Sequence, residues 1–258
     1  MERNKAYFTS DAHLGLDVHE EPLKVERRLV RWLDSIKEDA AYLFLLGDMF
    51  DYWFEYRHVV PKGFTRFIGK LGELSDLGVQ IYLFAGNHDI WMFDYFPKEI
   101  GAKVIDGSFE IDLYGKHFFM AHGDGLGDPS RSFRFIRAFF RNKLCQRLYK
   151  GIHPWFTVPL GFAWSRHSRK SKIGDPSESY LGRDREYMVL FSEEHAKKQN
   201  NVDFYVYGHR HIMLDLEIQD GKRVIILGDW ITHFSYACFD GEKFELRQIE
   251  ESELPKKD

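Results

Sequence analysis

Five short polar motifs hold the residues of this 258-residue chain best suited to chemistry: Asp11-x-His13, Gly47-Asp48-x-x-Asp51, Gly86-Asn87-His88-Asp89, His122-Gly123-Asp124 and Gly208-His209-x-His211. Each offers imidazole, carboxylate or amide donors and none offers a thiolate. That donor set favours manganese, iron, zinc or magnesium over a soft metal. A D-x-H or H-x-H pair on extended backbone puts both side chains on one face. Neighbouring glycines allow turns sharp enough to aim them inward. Asp11, His13, Asp48, Asn87, His122, His209 and His211 are too many donors for one tetrahedral zinc ion. They suit two divalent cations about 3.5–4 Å apart, with Asp48 bridging. Two dications set against two aspartates leave positive charge, which favours a phosphoryl group. Such centres also make a water nucleophilic near neutral pH.

Motifs of this kind need strands and helices to place them. Ala6–Thr9, Tyr42–Leu46 and Val79–Ala85 read as buried strands. Between them, Pro22–Lys37 and Phe64–Leu77 read as helices; the first has Pro near its start and Leu23, Leu29, Val30, Leu33 and Ile36 at helical spacing. Strands at Phe109–Leu113 and His117–Ala121, a helix at Gly182–Asn200, a strand at Asp203–Tyr207 and hairpins turning at Asp220-Gly221 and Asp240-Gly241 follow. The alternation predicts a layered α/β fold, with parallel strands first and antiparallel ones later. Every motif then falls at the C-terminal end of a strand, where open α/β sheets carry their sites.

A composition of 44% hydrophobic and 16% aromatic residues can fill a sizeable core, and 1–258 reads as a single domain. Two cysteines exclude a disulfide framework. No apolar run approaches the roughly 18 residues that cross a bilayer, and the first residues lack the apolar segment of a signal peptide. A cytoplasmic or membrane-peripheral protein is expected. The net charge of −4 conceals an uneven distribution: Arg131–Ile173 contains eleven Lys or Arg and no acid, with nine aromatic residues threaded through it. This stretch reads as a helical insertion at about 126–178. Phe133, Ile136, Phe140 and Leu144 fall on one helical face, and Arg131, Arg134 and Arg141 on another. Pro154, Pro159 and Gly161 point to a second, broken element. The aromatic residues are expected to pack, yet a solvated face normally mixes charge signs, so packing leaves the basic run unexplained.

The five blocks, in this order, resemble the calcineurin-like metallophosphoesterase superfamily. The resemblance implies a four-layer α/β/β/α sandwich with metals at its strand ends. It implies Asp11, His13, Asp48 and His211 at one metal and Asp48, Asn87, His122 and His209 at the other. It gives His88, oriented by Asp51, the part of transition-state stabiliser or leaving-group acid. Asp89 and Asp124 are expected to hold loop amides, and Asp128, beside Pro129, fits a turn.

Together with the insertion, His122-Gly123-Asp124-x-Leu126-x-x-Asp128, the Ser168–Lys172 stretch and Leu227-Gly228-Asp229-Trp230 resemble the UDP-2,3-diacylglucosamine pyrophosphohydrolases of lipid A synthesis. There the insertion clamps acyl chains, so Phe133, Ile136, Phe140 and Leu144 are candidate acyl contacts. Asp128, Arg166, Arg169 and Lys170 are candidate contacts to the polar part of the substrate. The resemblance implies attack on the α-phosphorus, releasing UMP and 2,3-diacylglucosamine 1-phosphate, by a manganese enzyme (iron, zinc or magnesium being alternatives). It implies an amphiphilic nucleotide-sugar lipid and an anionic membrane surface as partners, at the cytoplasmic face of the inner membrane, and no nucleic acid. The best-known branch has Arg where this chain has His88. Two rivals stand beside this reading: a nuclease or nucleotide phosphodiesterase using the basic run as a backbone patch, and a docking scaffold with vestigial catalysis.

Overall fold

The computed structural model describes residues 3–18, 20–127, 131–170, 179–250, 252 and 254, with side chains at all of these except 131–134 and 168–170. Asp128 and the side chains of Phe133, Arg169 and Lys170 therefore lie outside the described residues. Two mixed sheets form the centre. The first has strand order β11-β10-β1-β2-β3-β4, built from β1 (Lys5–Thr9), β2 (Ala40–Leu45), β3 (Gln80–Phe84), β4 (Lys103–Ile105), β10 (Ser235–Phe239) and β11 (Phe244–Gln248). The second has order β5-β6-β7-β9-β8, from β5 (Phe109–Leu113), β6 (Lys116–Ala121), β7 (Phe204–Tyr207), β8 (Met213–Glu217) and β9 (Arg223–Leu227).

Strands buried on both faces read as continuous apolar runs whose alternate residues serve different layers. In β1 and β2, Tyr7, Leu43 and Leu45 point outward to α1 (Pro22–Ser35) and α2 (Thr65–Asp76). Ala6, Phe8 and Phe44 point inward to the second sheet. On that sheet Phe118, Met120 and Val206 face inward, while Phe119, Tyr205 and Tyr207 face α7 (Tyr187–Lys198). Three apolar clusters thus separate four layers, in the expected α/β/β/α order. The inter-sheet layer is aromatic: the Phe8 ring stacks on Phe44 at 5.0 Å and on Phe118 at 5.7 Å.

The order of strand directions differs from the expected one. Strands β6, β7 and β9 are parallel, and only the edges β5 and β8 run antiparallel. The last hairpin joins the first sheet, β10 lying antiparallel to β1. Helix α7 supplies the crossover that a parallel β6–β7 pair requires. The α3 helix (Tyr95–Ile100) and β4 are too short for their periodicity to be read from sequence.

The basic run folds as three helices: α4 (Arg131–Arg141), α5 (Lys143–Lys150) and α6 (Pro154–Lys170). Two details depart from expectation. Asn142 ends the first helix by capping the second, its side-chain oxygen accepting from the amides of Leu144 and Cys145 at 2.9 and 3.2 Å. Leu144 therefore belongs to α5 and does not extend the α4 stripe. The second element is also unbroken, continuing through Pro159. Gly161 serves close approach instead, since a Cβ there would lie 2.3 Å from the Tyr52 ring. The three helices sit on the loops after β2 and β3. Tyr52 meets Phe162 edge-on at 5.5 Å, its hydroxyl lies 3.1 Å from that of Tyr149, and Trp91 Nε1 donates to the Phe140 carbonyl at 3.1 Å.

Candidate functional site

The five motifs follow β1, β2, β3, β6 and β7, at the C-terminal ends of strands from both sheets. Their backbone is unusual. Asp11, His13, Asp48, His209 and His211 have φ of 54°, 41°, 52°, 68° and 53°, a left-handed region that non-glycine residues rarely adopt. The motif glycines provide room as well as turns. A Cβ on Gly86 would lie 2.1 Å from Asp48 Oδ1, and one on Gly208 would lie 2.6 Å from Asp11 Oδ2. These positions let the strand-end loops close on one another in two pairs, the Gly86 loop on Asp48 and the Gly208 loop on Asp11.

Two donor clusters converge there. Asp11, His13 and His211 form the first, with His211 Nε2 at 3.4 Å and His13 Nε2 at 3.8 Å from Asp11 Oδ1. Asp48, His122 and His209 form the second, His122 Nε2 lying 3.4 Å from Asp48 Oδ2 and 3.2 Å from Asn87 Oδ1. Asp48 Oδ2 is also 3.6 Å from His13 Nε2, so this carboxylate stands between the clusters. All seven candidate ligands are brought together, and Asp11, His13, Asp48 and His122 are buried.

The site is charged in a way that suits cations. Burial raises the pKa of Asp11, and its Oδ1 is a buried acceptor with no hydrogen-bond donor among the described residues. Burial also acts to raise Asp48, but the neighbouring imidazoles of His122, His88 and His13 together outweigh it and hold that carboxyl well below the usual range. Burial alone would lower His122; the Asp48 carboxylate reverses this and raises the imidazole to about 10. Carboxylates this dry, aimed at imidazole nitrogens, match the hard-oxygen and imidazole donors that divalent cations take. Outer contacts fix the rings. His122 Nδ1 lies 2.8 Å from the Leu46 carbonyl, which can only accept, so Nδ1 carries the proton and Nε2 faces Asp48. His211 Nδ1 lies 3.1 Å from Asp229 Oδ2. Burial pushes the pKa of Asp229 up, but the bond to His211 and three backbone amides hold it well below the carboxylate range. The role of Asp229 was not assigned from sequence; its place in Leu227-Gly228-Asp229-Trp230, just past β9, was the available signal.

Beside these clusters stand His88 and Asp51. The carboxylate was expected to orient His88 directly, but Asp51 Oδ1 is 3.8 Å from Nδ1. The contacts instead run to the Asp51 backbone carbonyl at 3.0 Å and to Ser165 Oγ at 3.1 Å. Ser165 itself donates to Asp51 Oδ1 at 2.6 Å. A serine about forty residues from the motifs on either side of it gives no signal in sequence. Asp89 behaves as expected, accepting from the amides of Asp48, Met49, Phe50 and Gly86. Asp124 does not: it accepts from Arg137 Nε at 2.7 Å and ties α4 to the end of β6.

The insertion meets the other expectations unevenly. Phe140 packs edge-on against Trp91 at 5.4 Å, so it belongs to the seam with the body. Ile136 and Leu144 are exposed. Packing fails as an account of the remaining aromatics: Phe135 is 73%, Trp155 72% and Trp164 65% exposed. Arg166 pairs with Asp17, beyond the first motif, at 3.0 Å. Among the described residues no helix is long and apolar enough to cross a membrane.

The chain is similar to known proteins over most of its length. The family model for calcineurin-like phosphoesterases matches residues 5–213. A curated UDP-2,3-diacylglucosamine hydrolase of Porphyromonas gingivalis (strain ATCC BAA-308 / W83) is 47% identical over 261 residues, covering 97% of this chain and 100% of that protein. One of the same name from Edwardsiella ictaluri (strain 93-146) is 26% identical, covering 94% and 91% of the two chains. Among solved structures, a novel archaeal phosphodiesterase aligns with a TM-score of 0.46 and 17% identity, covering 95% of this chain and 98% of that one. The matched span includes all five motifs and most of the chain, and the protein belongs to the calcineurin-like phosphoesterase family of metal-dependent hydrolases.

Proposed function

We propose that the protein hydrolyses UDP-2,3-diacylglucosamine at the α-phosphorus, with water entering and UMP and 2,3-diacylglucosamine 1-phosphate leaving. The observation that carries the substrate is the 47% identity, over nearly all of both chains, to a curated hydrolase of that name. The geometry supports it, because a basic, aromatic helical layer packs on the strand-end loops beside two donor clusters suited to phosphoryl chemistry, reaching Asp51, His88 and Asp124.

Asp11, His13, Asp48 and His211 would hold one divalent cation and Asp48, Asn87, His122 and His209 the other, manganese being the first candidate. When bound, such a pair supplies charge neutralisation at phosphorus and a nucleophilic water. The protein's own groups then set orientation. Leu46 and Asp229 keep the His122 and His211 rings turned inward. A carbonyl on His88 Nδ1 fixes that nitrogen as a donor, so Nε2 is the nitrogen that would carry the second proton of the imidazolium and pass it to the leaving oxygen. Arg166, Arg169, Lys170 and Asp128 are assigned to the diphosphate and uridine side. Phe133, Ile136 and Leu144 are assigned to the acyl chains, with Phe140 holding the insertion to the body. The exposed rings of Phe135, Phe139, Trp155 and Trp164, among arginines and lysines, suit a peripheral seat on an anionic membrane, which we place at the cytoplasmic face.

The test is incubation of the purified protein with Mn²⁺ and UDP-2,3-diacylglucosamine, followed by phosphorus NMR. UMP is expected, and Asp48→Ala should abolish it. Absence of UMP with the intact protein, or UMP from the Asp48→Ala variant, would overturn the reading.

A further inference from the structure

We infer that Ser165, on the insertion helix α6, is a positioning residue for His88, so that the insertion helps to complete the catalytic centre. The inference rests on the part proposed above for His88 and Asp51. A helical serine usually turns its hydroxyl back onto its own helix or out to water. Ser165 is buried and does neither. Its hydroxyl donates to Asp51 Oδ1 at 2.6 Å and sits 3.1 Å from His88 Nδ1. One hydroxyl has one proton. With that proton on the carboxylate, the oxygen's lone pairs face Nδ1–H. Nδ1 thus meets two acceptors, Ser165 Oγ and the Asp51 carbonyl, the latter at 3.0 Å. The 3.8 Å between Asp51 Oδ1 and Nδ1 is too long for a hydrogen bond, and Ser165 spans it.

The helix is seated so that this contact is set by packing. Gly161 and Ser165 are four residues apart, on one face of α6. Gly161 packs so close to the Tyr52 ring that a Cβ would lie 2.3 Å from it, Phe162 meets the same ring edge-on, and Tyr52 directly follows Asp51 in sequence. Two consecutive residues of the body therefore grip two turns of the insertion. Loss of the hydroxyl should slow chemistry even on a substrate with no acyl chain, which an acyl clamp alone would not do.

The experiment uses the full-length manganese-loaded protein and the variants Ser165→Ala, Ser165→Thr, His88→Ala and the Ser165→Ala/His88→Ala double variant. kcat and KM are measured on bis(p-nitrophenyl) phosphate and on UDP-2,3-diacylglucosamine, together with metal content and Tm. Removal of an outer partner of a catalytic group lowers activity by about 10-fold or more. We expect that loss in kcat for Ser165→Ala on both substrates, with metal content and KM unchanged and with substantial recovery in Ser165→Thr. In the His88→Ala background, Ser165→Ala should produce no further loss. Should Ser165→Ala fold poorly, Ser165→Cys provides a variant of similar shape with a weak donor, and the same loss is expected. Undiminished kcat, a full second loss in the double variant, or a loss that follows metal content would each overturn the inference. Unchanged activity in His88→Ala would sink the part proposed for His88 itself, whereas a loss there with none in Ser165→Ala would remove only Ser165.

Discussion

At the scale of single residues, the site is held by backbone that the chain adopts only under constraint. Five candidate ligands sit at positive φ, a conformation of order 1–3 kcal/mol above relaxed backbone for residues other than glycine. The folded sheets offset that strain, and the result is a set of donors aimed at one point before any cation arrives. Buried beside the Asp48 carboxylate, the His122 imidazole holds a proton in the absence of a cation. His122 has its pKa raised above the ordinary 6.5 to about 10, so its pairing with Asp48 contributes its full stability below pH 6.5, and that contribution is lost as pH rises toward and through about 10. Near neutral pH the cation-free protein therefore carries a proton on His122 that a metal must displace. Adding Zn²⁺ or Mn²⁺ to cation-free protein at pH 7.5 should release protons, measurable by calorimetry in two buffers of different ionisation enthalpy. The release should shrink as pH approaches 10. An apparent enthalpy independent of buffer would refute this charge assignment.

The insertion carries the argument at the scale of elements. Its amphipathic character was legible because arginines and large apolar residues recur at helical spacing. Its division was not, since the break depends on one asparagine turning its side chain onto two amides instead of facing water. The exposed rings of Trp155 and Trp164 on α6 and Phe139 on α4 mark the outward face. Replacing Trp155 and Trp164 by Asp should lower activity on the diacylated substrate and binding to anionic vesicles by about 10-fold or more, as two exposed rings no longer bury apolar surface against lipid. Hydrolysis of bis(p-nitrophenyl) phosphate should stay within about twofold. Equal losses on both substrates would show that these rings support the fold rather than the lipid. Asn142→Ala should remove about 1 kcal/mol of capping from α5, seen as faster amide exchange at Leu144 and Cys145.

The whole molecule depends on the layer between its sheets. Phe8 is fully buried there, against Phe44, Phe118 and Phe244. Phe8→Ala should lose about 3–5 kcal/mol of stability, read as a lower denaturant midpoint. Because β1 also ends in the first motif, it should loosen metal binding as well. A loss below about 1 kcal/mol would contradict the packing described. This layer is what brings strand ends from two sheets to one place: β1, β2 and β3 supply Asp11, His13, Asp48 and Asn87, and β6 and β7 supply His122, His209 and His211.

The sequence by itself determined the donor residues, their order and the strands that carry them. Those features are local: side-chain chemistry, a spacing of two residues, glycine at a turn and an unbroken apolar run can each be read within about ten positions. It also determined that a basic, aromatic stretch interrupts the layered fold. Only the tertiary structure decided what crosses between distant segments. Asp48 stands between two clusters because both sheets close on it, Asp229 comes to His211 from another strand end, and Asp124 becomes the anchor of α4. Ser165 reaches Asp51 and His88 because Gly161 lets α6 lie against Tyr52. No periodicity encodes such contacts, since each depends on two surfaces meeting at a distance fixed by packing.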